Sequence, residues 1–271
     1  MRRSRFPARC LRRIPLLRTY ENCLCGSIFC LGGGFLSFTK SVNRQLFPHP
    51  FSAAYWRAAL GEFKSLRVLV FAALMIAIRV ALKSLSIPIA ANLRINVAFF
   101  VNAFGAMVFG PVVALAAAAV SDTLGCLLFP TGTYFFPFIF IEMAGSLIFA
   151  LFLYRAEVSV WRVTLSRFCV DFFVNIVLNT PVMWAYYHYV MGRNYALFDI
   201  LRIVKNLALF PIESVLLVLF LRAVIPPTQH LGYLYSGVEK LRFDRKNIIF
   251  LVVMAAVGVA AVALYAAYRQ G

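Results

Sequence analysis

The chain has 271 residues, 62% of them hydrophobic and 14% charged, with a mean hydropathy of +0.83, whereas soluble domains carry roughly a quarter charged residues. This balance excludes a soluble globular protein and points to an all-α integral membrane protein, with several apolar runs near the roughly 20 residues that cross a bilayer as a helix. The formal net charge of +17 does not indicate nucleic acid: Arg2, Arg3, Arg5, Arg9, Arg12, Arg13 and Arg18 crowd the N-terminus, and most other cations stand at span ends, where cytoplasmic loops gather Lys and Arg.

Residues 1–48 resemble nothing that follows them. An Arg-rich start precedes "CLCGSIFCLGGGFLSF", apolar but short and interrupted by Gly32, Gly33 and Gly34. The outline is that of a signal sequence, although an N-terminal extension outside the fold is the preferred expectation. Cys10, Cys23, Cys25, Cys30, Cys126 and Cys169 show no paired CxxC spacing and no neighbouring His, so neither a zinc site nor a disulfide framework follows, and free thiols are expected.

Spans are predicted at about 66–85, 95–109, 111–128, 134–153, 164–190 and 203–224, six helices forming one membrane domain over residues 49–226. A polar linker, 227–246, precedes a seventh apolar run at 247–268 within the segment 247–271. That run is rich in Ala, Val and Gly without internal charge, which suits a peripheral anchor. Lys64 and Arg67 precede span 1, Arg155 and Arg162 separate spans 4 and 5, and Arg222, Lys240, Arg242, Arg245 and Lys246 follow span 6. All fall on one side if the spans alternate, and that side is the cytoplasm.

Arg94, Arg202 and Lys205 then stand on the outer side, against the usual bias. A single such cation would be read as snorkelling to lipid phosphates; three of them are read as an anion site. Within the spans, Arg167, Asp171, Asn175 and Asn179 recur every fourth residue and drift by only about 40° per step, so this face looks into the bundle. Arg202, Asn206, Leu209 and Glu213 form a second inward line. Arg79 sits inside span 1, Asp122 near the outer end of span 3 and Glu142 inside span 4. Glu142 and Glu213 are equally suited to neutralising buried cations and to touching a ligand. Ala73, Ala77 and Ala81 leave a flat strip roughly opposite Arg79, and Gly110, Ala114 and Ala118 repeat the spacing in span 3. Such strips let helices approach closely, whether the neighbour belongs to this chain or to another.

The order of "LVFAALMIAIRVAL", "FGAMVFGPVVALAAAAVSDTLGCLLFPTGTYF", "SRFCVDFFVNIVLNT" and "RIVKNLALFPIES" resembles the substrate-binding S component of an energy-coupling factor (ECF) transporter, specifically the folate family. The resemblance runs from about Pro50 to Pro226. It implies a six-helix S-component bundle, to which the seventh helix is an addition, in the bacterial cytoplasmic membrane. It implies folate as the ligand taken from outside, bound among outer loops 1, 3 and 5 by Arg79, Arg94, Thr133, Tyr134, Asn175, Arg202, Lys205 and Asn206. It also implies that Ala73, Ala77 and Ala81, with Ala114 and Ala118, meet a transmembrane T component carried by two cytoplasmic ATPases.

Chemistry agrees with the resemblance. Folate has a flat pterin, an aminobenzoyl ring and a tail with two carboxylates, which call for aromatic faces, amides and cations. Tyr134, Phe135 and Phe136, the Asn175 stripe, and Arg202 with Lys205 offer these. No cofactor, catalytic set or metal site is expected, and the absence of G-x-x-x-x-G-K-[ST] assigns ATP hydrolysis to another polypeptide. The alternative is a proton-coupled secondary transporter using Asp122, Glu142, Asp171 and Glu213 as a relay, against which stands the lack of duplicated halves. An enzyme is not expected, since His49, His188 and His230 lie far apart.

Overall fold

Ser52 accepts a hydrogen bond from the Tyr55 amide at 3.2 Å and so caps the first helix, α1, Ala53–Glu62. The computed structural model describes residues 46–47, 50–83, 86–90, 93–129, 133–193, 200–231, 233–234, 241 and 243–270, all within one compact unit, Val42–Gly271. The expected extension, 1–48, lies outside the described residues except for Leu46 and Phe47. The Phe47 amide donates to the Arg155 carbonyl at 2.9 Å.

The apolar runs form α2, Leu66–Lys83; α3, Ala98–Leu128; α4, Phe138–Leu153; and α5, Val160–Cys169, capped by Ser159. Helix α5 continues without a break through a π-helical segment, Val170–Leu178, then α6, Asn179–Ala185, and a second π-helical segment, Tyr186–Val190. Helices α7, Ile200–His230, and α8, Arg245–Gln270, complete the chain. By length and apolar character alone, Ala98–Leu128, Val160–Val190, Arg202–His230 and Arg245–Tyr265 are candidate membrane segments among the described residues, the first of them broken at Gly110; α1 and α2 qualify only together, as a pair bent by 79°, and α4 is a shorter apolar helix.

Residue pairs fix the helix directions. Phe71 packs on Phe104 and Phe109, Lys83 pairs with Asp122, and Arg79 shares a crevice with Asn102 and Ala117. Residues 98–109 and 111–128 therefore run in opposite senses beside α2, and α3 is a helical hairpin turning at Gly110. That turn needs glycine: φ is +79° and ψ 177°, a region almost closed to other residues, and a Cβ there would stand 2.7 Å from the Tyr154 ring. Helix α4 returns against α2, with Glu142 at Arg79 and Tyr154 at Gly110. Helix α7 runs against the α5–α6 run, with Arg202 at Asn175 and Glu213 at Arg167. These directions gather Lys64, Arg155, Arg162, Arg222, Arg245 and Lys246 at one end, the end that the charge bias assigns to the cytoplasm.

The expected seventh helix is present as α8 and lies on α7. Gly258 passes so near that a Cβ would stand 2.6 Å from Ile212 Cγ1 and 3.1 Å from the Ile212 amide nitrogen. Phe250 tilts against Trp161, and Tyr265 packs with Leu209. Lipid tails give helices no hydrophobic reason to associate, so such close contact supplies the attraction.

Several expectations change in detail. The span predicted from residue 95 starts at Ala98, because Leu93–Asn96 pairs with Ser86–Ala90 as an antiparallel hairpin, β2 with β1. The polar linker, expected from residue 227, is shorter: α7 continues through Pro226 and Pro227 to His230, and Tyr233 stacks on Phe71 with centroids 4.5 Å apart. Ala114 and Ala118 are 3% and 0% exposed. Their strip packs inside this chain, which removes them as a surface for a partner, whereas Ala73, Ala77 and Ala81 are exposed along α2.

Candidate ligand site at the outer mouth

Two polar networks organise the interior. The first descends from the outer end of α7. Arg202 Nη2 donates to the Asn175 carbonyl at 3.0 Å, and Asn175 Nδ2 donates to Asp171 Oδ1 at 2.8 Å. The same Asp171 oxygen stands 3.0 Å from Arg167 Nη2, which also pairs with Glu213. The Arg167 guanidinium lies 4.4 Å from the Phe99 ring centroid, an arrangement that favours the cation through the ring quadrupole. Glu213 thus neutralises a buried arginine and ties α7 to α5.

The π-helical segment explains why the four-residue stripe holds together. In an α-helix each step of four overshoots a full turn by about 40°; i to i+5 bonding widens the turn, so the sense of the drift reverses across Asp171 and Asn175. Asn179 stays on the inner side, and its Oδ1 is buried without a hydrogen-bond partner among the described residues.

The second network joins α2, α3 and α4. Arg79 is buried and pairs with Glu142 at 3.0 Å. Ser146 Oγ donates to Asn102 Oδ1 at 2.6 Å and lies 3.0 Å from the Glu142 carbonyl. Lys83 meets Asp122 nearer the outer end, and Gly125 lets the lysine stem pass, since a Cβ there would stand 2.9 Å from Lys83 Cδ.

Among the predicted site residues, Asn175 and Arg202 are brought together directly. Lys205 and Asn206 follow Arg202 on α7 and are half-buried. Thr133 is exposed and Tyr134 is 46% exposed, both just before α4. The neighbouring Phe135 and Phe138 cluster with Tyr186, with centroids 5.7 to 5.8 Å apart, which ties outer loop 3 to the end of the α5–α6 run. Arg94 lies in β2 opposite Pro88, and β2 lies against α7; its side chain is outside the description. Arg79 belongs to the other network.

Sequence reasoning missed Phe99 and Tyr186 as parts of this region. Phe99 carries no periodic signal, and Tyr186 lies among four consecutive aromatic or imidazole residues, "YYHY", whose facing a sequence does not reveal. Among the described residues no group of three His, Cys, Asp or Glu side chains is placed to hold a metal, and Cys126 and Cys169 are free thiols.

Chemically, the mouth offers a planar cation held by a backbone carbonyl with further N–H groups on its fork, a second cation one turn along, amide groups and aromatic rings. That combination suits a flat, hydrogen-bonding ligand with a negative end.

A family model described as "ECF-type riboflavin transporter, S component" matches residues 63–223. "Folate transporter FolT" of Clostridium novyi (strain NT) is 32% identical over 157 residues, covering 57% of this chain and 87% of that protein. "Folate transporter FolT" of Leuconostoc mesenteroides subsp. mesenteroides is 29% identical over 149 residues, covering 54% and 80%. A solved structure described as FolT bound with folic acid is 28% identical, with a TM-score of 0.48, and the match covers 56% of this chain and 89% of that one. With a family model spanning more than half of its length and a curated relative 32% identical to it and covered over 87% of its own length, the chain belongs to the S components of ECF-type transporters, in the folate family, and is a membrane transport subunit and not an enzyme.

Proposed function

We infer that this subunit captures folate from the outer side of a bacterial cytoplasmic membrane and delivers it inward when docked on a T component driven by two ATPases. The observation that carries the reading is the match to FolT of Clostridium novyi over 87% of that protein. The site is compatible with it. Arg202, oriented by the Asn175 carbonyl, is the group proposed to grip a carboxylate of the glutamate tail through its fork, with Lys205 as a second point charge. Asn175 and Asn206 supply amide hydrogen bonds, Thr133 and Tyr134 the rim, and Arg94 a further cation from β2. Arg79 enters through its pair with Glu142 beside the crevice at Asn102.

Riboflavin, named in the family model, is a flat heterocycle without a carboxylate, so the cations at the mouth favour folate. The relay alternative loses support because Asp122, Glu142, Asp171 and Glu213 each stand against a cation. Ala73, Ala77 and Ala81 form an exposed small-residue face on α2, proposed as the surface on which the T component packs. Purifying the chain in detergent, denaturing it and identifying the released small molecule tests the substrate: recovery of folate supports the reading, and recovery of another vitamin without folate overturns it.

A further inference from the structure

Helix α1 falls outside the matched family region, 63–223, and lies at 79° to α2, the helix that follows it. Its ten residues extend about 15 Å, half of a hydrocarbon core of roughly 30 Å. It is fastened to the cytoplasmic end of the bundle: Tyr55 OH donates to the Ala150 carbonyl at 3.0 Å, Glu62 accepts from Tyr154 OH at 3.1 Å, and Glu62 pairs with Arg155 at 3.1 Å.

The residues of α1 and its exit turn fall into three stripes, each about 100° from the last. Tyr55, Ala59 and Glu62 are buried against the protein. Trp56, Leu60 and Phe63 are 37%, 56% and 39% exposed, an apolar flank with an indole, a side chain suited to the boundary between acyl chains and headgroups. Arg57 and Lys64 are exposed on the third stripe, away from the bundle.

We propose that α1 lies flat in the cytoplasmic membrane interface, with Trp56, Leu60 and Phe63 at the acyl boundary and Arg57 and Lys64 on the phosphates of anionic phospholipids. The occupant is a lipid surface because both requirements of interfacial binding, an apolar flank and adjacent cations, occur together on a helix turned 79° from α2 at the end of the bundle that gathers the cations. A second protein would not need the two stripes to divide at a fixed depth.

The test uses the full chain in vesicles containing equimolar phosphatidylcholine and phosphatidylglycerol, with bromine placed either near the glycerol end or near the tail end of the acyl chains. The Trp56 signal is the fluorescence lost in Trp56→Phe, a conservative change that leaves the other two tryptophans in place. Shallow bromines should quench it more than deep ones, and brominated phosphatidylglycerol more than brominated phosphatidylcholine. The Arg57→Gln/Lys64→Gln variant should keep the depth and lose the preference for phosphatidylglycerol, by about fivefold for each charge removed. Stronger quenching by deep bromines would make α1 the first half of a broken span and overturn the proposal. So would quenching by aqueous acrylamide with none by lipid, or a phosphatidylglycerol preference that the double variant retains.

Discussion

Replacing Arg202 by Gln removes the cation proposed to hold the folate tail. In the structure its Nη2 is committed to the Asn175 carbonyl at 3.0 Å, and the remaining N–H groups of the fork are the donors for a carboxylate. A hydrogen bond to a charged group contributes about 1.5 to 3 kcal/mol, so folate affinity should fall about ten- to 150-fold. Glutamine also loses the bond to Asn175, which loosens the π-helical segment and costs any ligand about 1 kcal/mol, or roughly fivefold. A folate fragment with the pterin but without the glutamate carboxylates separates the two effects. Titration calorimetry on purified protein should show the large loss for folate and at most the small one for the fragment. Arg202→Lys keeps the charge without the fork and should fall between. Equal losses for both ligands, or unaltered folate binding, would refute the assignment and return Arg202 to a lipid-facing anchor.

Other outcomes follow from named contacts. Ala77→Phe, on the exposed face of α2, should leave folate binding nearly intact and abolish uptake, because the ring holds a partner helix away; normal uptake at normal expression would remove the docking surface. Gly110→Ala should cost about 1 to 3 kcal/mol from backbone strain alone, with the overlap on Tyr154 added, and a thermal unfolding midpoint in detergent equal to that of the parent would contradict the hairpin turn. Glu213→Ala should destabilise by about 3 kcal/mol, the lower end for a broken buried pair, since Arg167 keeps Asp171. An unchanged midpoint there would show that the pair contributes nothing.

The parts of the fold written as long apolar runs were legible. Helices α2 and α8 begin at or within two residues of their predicted starts, and the boundary expected between spans 95–109 and 111–128 falls at Gly110, where the structure turns. Shorter features were not. The β1–β2 hairpin carries apolar residues up to Ile95 and merged with the span after it, and α1 divides ten residues among three faces, so no single apolar stripe stands out. Helical spacing correctly turned Arg167, Asp171 and Asn175 inward, but spacing gives a face and not a partner. It left open whether Glu213 meets a cation or a ligand, and it scored Ala77 and Ala118 alike although one is exposed and the other is packed inside the chain. The bond from Arg202 to the Asn175 carbonyl is a backbone contact across 27 positions, which no local pattern encodes.

Direct titration of the purified subunit with folate and with riboflavin, each in the presence and absence of the other, tests the central claim. Folate should bind one to one, its affinity should weaken as salt screens the cations at the mouth, and riboflavin should fail to displace it. Riboflavin binding that folate cannot displace would contradict the account.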